Sequence, residues 1–211
     1  MPLLVTPALP AGALAAQEQP HLEVRPGLAL RPWRDDDAPA VRTAFGCPAI
    51  QRWHVLRLDD DAEARAWTAQ WTGRWRAETA VSFAIVDGHD RPVGQTGLRD
   101  VLLSEGSAQI SYWLLPEARG RGIATAALEA LTRWSFTQAG LHRLELNHST
   151  ANEASCRVAT RGGFTVEGVA RQAMRHADGW HDMHQHARLR TEGPIGSAGL
   201  RPADETRGQI G

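Results

Sequence analysis

Apolar positions along the chain recur with two periods, about 2 for strands and about 3.6 for helices, and the switches between them divide the sequence into elements. Gly27 to Trp33 alternates around Leu28 and Leu30 as a strand does, and Asp35, Asp36 and Asp37 behind it supply an acidic start for a helix near Ala38. Asp59 to Asp61 repeat that signal before a helix over about Ala62 to Arg76, on which Trp67, Trp71 and Trp75 recur every four residues and share one face. Val81 to Val86 and Pro92 to Arg99 read as strands joined through Asp87, Gly88, His89 and Asp90, a hairpin signal, and Ala108 to Leu115 reads as a third. Pro116 stops that strand. After the glycine-punctuated Arg119 to Gly122, Ala124, Ala127, Leu128, Leu131 and Trp134 follow at helical spacing until Gly140. His142 to Asn147 predicts a strand, Glu153 to Arg161 a short helix, and Phe164 to Ala170 and Asp182 to Leu189 the last two strands. The order β-α-α-β-β-β-α-β-α-β-β specifies an α/β fold with a mixed sheet, antiparallel hairpins and flanking helices.

Residues 1–22, rich in Ala, Pro and Leu without a period, and residues 191–211, rich in Gly, Pro and charge, read as flexible tails around one domain over residues 23–190. With 211 residues, 42% hydrophobic and 22% charged, that domain has the composition of an ordinary globular protein. All 23 residues counted as Lys+Arg are arginines, which excludes a lysine-bearing phosphate loop and Schiff-base chemistry. A formal charge of -1 gives no global basic field, so neither nucleic acid nor an anionic membrane is an expected partner. Cys47 and Cys156 are too few for a disulfide framework or a thiolate zinc site and suit a reducing, cytoplasmic setting. Met1 to Ala16 lacks the charged n-region of a signal peptide, and no run approaches the roughly 20 apolar residues of a membrane span.

Chemistry concentrates in Ile110 to Ala124, where strand, glycine-rich turn and helix start occur in immediate succession. Gly120 and Gly122 permit positive φ, and the helix after them begins with amides that lack intrahelical acceptors at its positive dipole end. A pyrophosphate fits such amides, with Arg119 and Arg121 as the nearby side-chain cations. The plain alternative is a tight turn with two surface arginines.

Arg119 to Ala124 resembles the acyl-CoA-binding motif of the GNAT acetyltransferase superfamily, Gln/Arg-x-x-Gly-x-Gly/Ala. Leu30-Arg-Pro-Trp33, Ala108 to Leu114, Asn152-Glu-Ala-Ser155, Gly163-Phe164, Glu167-Gly168 and Gly179 to Asp182 extend the resemblance to the RimJ/RimL branch, whose members acetylate ribosomal-protein N-termini. The resemblance implies a mostly antiparallel central sheet with a splay between two central strands, and acetyl-CoA as co-substrate. The pantetheine arm would lie along Tyr112, Trp113, Leu114 and Leu115. The segment Arg119, Gly120, Arg121, Gly122, Ile123 and Ala124 would hold the pyrophosphate, and Asn152 the pantetheine. Ser155 would meet the CoA sulfur and protonate the departing thiolate, its plain alternative being a helix-capping hydroxyl.

The sequence departs from this pattern where relatives carry a base. Gln109 stands where many have a glutamate, and Met174 follows Gln172-Ala173 where the ribosomal branch has another. Without a strong base an α-amine, titrating near 7.7 to 8.0, is a far easier acceptor than a lysine amine near 10.4. His148, four residues before Asn152, is the imidazole suited to carry the proton, ahead of Glu105 and Glu145. Gln109 then counts with Trp67 and Trp71 as a possible acceptor contact, although core packing is the commoner role of such indoles. His181, His184 and His186 invite a metal reading, but no thiolate or carboxylate stands in obvious register with them, so no metal is expected. The expected function is acetyl transfer to a primary amine, foremost a protein or peptide N-terminus, by direct attack in a ternary complex. A small antibiotic or metabolite amine is the second reading, and a non-catalytic acyl-CoA-binding protein the third. A monomer or homodimer suits any of them.

Overall fold

The computed structural model describes residues 4–193. Eight strands form one open sheet in the order β1-β2-β3-β4-β5-β6-β8-β7, with β1 at Leu22–Arg25, β2 at Leu28–Pro32, β3 at Val81–Asp87 and β4 at Pro92–Leu102. The other four are β5 at Ser107–Leu114, β6 at Arg143–Ser149, β7 at Thr165–His176 and β8 at Gly179–Leu189. Every neighbouring pair is antiparallel except β5 and β6. The chain returns from β5 to β6 through α4 (Ile123–Thr137), the crossover that a parallel pair needs. Helices α1 (Ala38–Gly46), α2 (Pro48–Gln51) and α3 (Asp61–Arg76) lie between β2 and β3, and α5 (Glu153–Arg161) between β6 and β7.

Both faces of the sheet are covered, which explains why β3 is buried at every position from Val81 to Val86 instead of alternating. Phe83 and Ile85 pack with Leu128, Leu131 and Trp134 of α4 in one core cluster, while Ala84 and Val86 join Phe45 of α1 and Trp67 and Trp71 of α3 in the other. The three indoles of α3 therefore divide. Trp75, one turn beyond Trp71, enters the first cluster beside Trp134. Asp60 caps α3 as the acidic start signal predicts, accepting from the Glu63 amide at 2.8 Å.

The N-terminal segment is not a loose tail. Leu14 is 3% exposed, and the carboxylate of Glu78 accepts from the amides of Gly12, Leu14 and Ala15 at 2.6, 2.6 and 3.1 Å. The Trp75 indole donates to the Gln17 carbonyl, and the Ala8 and Leu9 amides bond to Ser104 and Leu103. These partners lie about 60 or more positions away, beyond the reach of local pattern reading. The expected C-terminal tail from residue 194 onward lies outside the described residues. Among the described residues no helix is long and apolar enough to cross a membrane.

Candidate active site

The parallel pair at the centre of the sheet is forked. Ser107, Ala108 and Gln109 of β5 pair with Arg143, Leu144 and Glu145 of β6, and there the pairing stops. Beyond the fork β5 continues with β4 through Gly94↔Leu114, and β6 continues with β8 through Ser149↔Met183. The main chain from Ile110 to Leu114 thus presents a strand edge inside the molecule, which an extended ligand can extend by hydrogen bonding as an added strand.

At the end of that edge Pro116–Ala118 makes one 3-10 turn and the chain enters α4 at Gly122. Gly120 and Gly122 have φ of 73° and 72°, and a Cβ built on either meets nothing within 4 Å. The glycines are required by backbone conformation and leave the space above them open. Ile123, 4% exposed, anchors the first turn of α4 in the core, and the first helical hydrogen bond is Ala126 N–H to the Gly122 carbonyl. The amides before it have no partner within the helix and sit at its positive end.

A cleft of about 370 Å³ joins this turn to the fork and to α5. Arg119, Gly120, Gly122, Ile123, Ala124 and Thr125 line one side, with Tyr112, Trp113 and Leu114 from β5. Asn152, Ala154, Ser155, Arg157, Val158 and Arg161 line another. Asn152 is the N-cap of α5, its Oδ1 accepting from the Ser155 amide at 3.1 Å. The Ser155 hydroxyl, in a residue 8% exposed, lies 2.6 Å from the Tyr112 hydroxyl. Burial pushes the Tyr112 phenol up to about 12, so it stays protonated at neutral pH. The phenol and the serine hydroxyl are thus hydrogen-bonded to each other on the wall of the cleft.

A family model described as "Acetyltransferase (GNAT) domain" matches residues 27–165. The chain belongs to the GNAT acetyltransferase family. Among its relatives are the uncharacterized N-acetyltransferase YoaA of Bacillus subtilis, 26% identical over 149 residues with 70% of this chain and 84% of that protein covered, and the ribosomal-protein-serine acetyltransferase of Escherichia coli. The latter is 35% identical over 83 residues, 39% of this chain and 46% of that enzyme. Two solved structures share the fold. RimJ of Mycobacterium smegmatis in complex with a CoA disulfide has a TM-score of 0.75 at 27% identity, covering 83% of this chain and 88% of that one. RimL, a ribosomal L7/L12 α-N-protein acetyltransferase in complex with coenzyme A, has 0.76 at 23%, covering 81% and 98%.

Within this GNAT domain most of the residues expected around the co-substrate line one cleft, and the exceptions have physical causes. Leu115 is buried in the second core cluster. Its amide donates to Val93 and its carbonyl accepts from Ala118, so it offers nothing to the cleft. Arg121 is exposed and does not line the cleft, while its carbonyl accepts from Arg25. Arg119 turns its guanidinium back onto the Leu114 carbonyl at 3.0 and 3.1 Å, bracing the end of β5.

The expected acceptor and base residues are placed elsewhere. Trp67 and Trp71, each 8% exposed, pack with Trp33 and Phe45 in the core and do not line the cleft. Gln109 sits at the last pair before the fork, with its side-chain carbonyl accepting from Arg99 at 2.7 Å. His148 does not line the cleft and is set aside as the base. It shares a face of β6 with Leu144 and Leu146, is 5% exposed, and bonds through Nδ1 to the Ser149 carbonyl. Glu145 is ion-paired to Arg143.

Sequence reading missed Trp53 and His54, which follow α2 and line the cleft with Ala49 and Ile50. Burial first, then the positive charge of Arg99, pushes His54 down to about 4, leaving it neutral. Arg157 and Arg161 of α5 were missed as well. Their spacing with Ala154 and Val158 marks one helical face and was the available signal.

Proposed function

We propose that the protein holds acetyl-CoA along the β5 edge and transfers its acetyl group to the α-amine of a protein or peptide N-terminus. The observation that carries this reading is the fork between β5 and β6, because a strand edge exposed inside the molecule meets a helix N-terminus and a Tyr112–Ser155 hydroxyl pair on one cleft. The pantetheine amides bond to the edge as a further strand would. The pyrophosphate lies at the first amides of α4, and Arg157 and Arg161 add positive charge on the opposite wall.

In the ternary complex the amine nitrogen attacks the thioester carbonyl carbon, the carbon–sulfur bond then breaks, and the thiolate takes a proton from Ser155 Oγ. Tyr112, 2.6 Å away, returns a proton to the serine and regains one from water, so both hydroxyls end the cycle protonated. The ammonium proton of the attacking amine leaves to water. Holding donor and acceptor together provides most of the acceleration. Among the described residues no carboxylate lines the cleft, and the one imidazole that does, His54, is a weak base at about 4. The acceptor must therefore reach the thioester already neutral. Roughly a tenth of an α-amine is neutral at pH 7, against well under a thousandth of a lysine amine. The apolar wall of Ala49, Ile50 and Trp53 suits the first residues of a peptide. The match to enzymes that modify ribosomal-protein N-termini supports the same acceptor class.

The test mixes protein and acetyl-CoA with three acceptor sets: peptides with free N-termini, N-capped peptides containing lysine, and small primary amines. Mass gain and thiol release are read. Acetylation confined to free α-amines is the expected result. Transfer only to small amines or only to lysine overturns the acceptor assignment.

A further inference from the structure

β6 and β8 pair so that His148 stands directly opposite His184 and Leu146 opposite His186. Residues opposite one another, and residues two apart on one strand, share a face of a sheet, so the three imidazoles project to the same side. Helix α5 crosses that side and brings Cys156 over them. One ligand atom from each of His148, Cys156, His184 and His186 lies within 4.8 Å of all the others. His148 and His186 are 5% and 1% exposed.

The hydrogen bonds around the rings determine which nitrogens face inward. Nδ1 of His148 lies 2.8 Å from the Ser149 carbonyl, a contact only an N–H satisfies, so its Nε2 carries a lone pair. Nδ1 of His186 faces the Phe164 carbonyl at 3.4 Å, and its Nε2 is 3.0 Å from Nε2 of His148. The Nε2 lone pair of His148 therefore points at Nε2 of His186, a contact that a proton on His186 or a cation placed between the two nitrogens satisfies. A tetrahedral zinc with bonds of 2.0–2.1 Å sets its nitrogens about 3.3 Å apart, close to the spacing present. Nδ1 of His184 is buried and without a hydrogen-bond partner in the described structure.

We propose that His148, Cys156, His184 and His186 form a tetrahedral site for a borderline-soft divalent cation, zinc foremost. Imidazole and thiolate donors select this class over magnesium or calcium. Four protein ligands leave no open position, so the ion braces α5 against β6 and β8. It takes no part in acyl transfer. Binding releases the Cys156 thiol proton to solvent, and the Ser149 and Phe164 carbonyls orient the two buried rings as outer partners. Because Cys156 directly follows Ser155, the brace holds the start of α5 at the cleft. The expectation of no metal rested on the lack of a thiolate in register with the histidines of β8. The fold supplies one from a helix far away in sequence.

The full chain is stripped with a chelator, dialysed against zinc and counted by elemental analysis, and titrated in parallel with Co(II). The expected result is one zinc per chain, and a Co(II) complex with a thiolate charge-transfer band in the near ultraviolet and the strong visible bands of a tetrahedral site. His184→Ala weakens zinc binding about tenfold or more. Cys156→Ser abolishes the charge-transfer band. His181→Ala, whose ring bonds Asp178 and Ser149 Oγ outside the quartet, leaves both readouts unchanged. Wild-type protein that retains no zinc above background overturns the site without any variant having to fold. So does a Co(II) complex lacking the sulfur band, or binding that survives His184→Ala and fails in His181→Ala.

Discussion

The 2.6 Å contact between the Tyr112 and Ser155 hydroxyls makes a double-mutant cycle informative. Tyr112→Phe removes the phenol oxygen and leaves a buried serine hydroxyl without that partner, a loss of about 1–3 kcal/mol in the ground state. If Ser155 donates the proton to the thiolate, its removal costs the roughly 10²–10⁴-fold that general acid catalysis provides, which is about 2.7–5.4 kcal/mol of barrier. Ser155→Ala should therefore lower kcat by about 10²-fold or more, and Tyr112→Phe by about tenfold or more, because the serine loses its proton supply. The double variant should fall no lower than Ser155→Ala, as expected of groups acting as one unit. KM for acetyl-CoA should stay within about threefold, since the β5 edge and the α4 amides are untouched. Release of the CoA thiol, followed with a thiol-reactive dye at saturating acceptor peptide, measures all four forms. Thermal melts check that each is folded. Single variants within twofold of wild type in kcat, or a double variant equal to the product of the two single losses, would refute the proton-donating pair.

Three further outcomes are expected. Arg31 and Asp37, 3% and 4% exposed, are joined by two hydrogen bonds of 2.6 and 2.9 Å, so Asp37→Ala should destabilise the domain by about 3–5 kcal/mol in denaturant titration by leaving a buried guanidinium short of its partner. Burial alone would raise the Glu78 carboxyl, but its three backbone amide donors outweigh that and hold it below the ordinary carboxylate value. The attachment of the N-terminal segment is then fully present above the unfolded carboxylate pKa near 4.3 and is lost as pH falls through and below it. The Leu14 amide resonance should report that transition, and Glu78→Gln should abolish the step. Trp53→Ala should raise the acceptor KM with little change in melting temperature, whereas Trp67→Ala should cost about 3–5 kcal/mol of stability, and Trp67→Phe should leave the acceptor KM unchanged.

What could be read along the chain was whatever adjacent residues decide. The strand, glycine turn and helix start of Ile110 to Ala124 were legible because positive φ, free amides and helical periodicity are local properties. The cap at Asp60 was legible for the same reason, whereas the cap of α5 proved to be Asn152. The indoles of α3 show the limit: a four-residue spacing placed Trp67, Trp71 and Trp75 on one side of a helix, yet only packing against α1 and α4 sent two of them to one core cluster and the third to the other. Trp53 and His54 carry no motif, and they reach the cleft because α2 turns the chain toward β5.

The sequence by itself determined the alternation of elements, the absence of lysine chemistry and the glycine turn with its family resemblance, since each follows from residue type and near-neighbour spacing. Only the tertiary structure decided that β5 and β6 part after Gln109 and that Tyr112 meets Ser155. It alone bound residues 12–15 to Glu78 and set Cys156 over three histidines. Those outcomes depend on strand register and helix docking between segments tens of residues apart, which are set by burial summed over both core clusters.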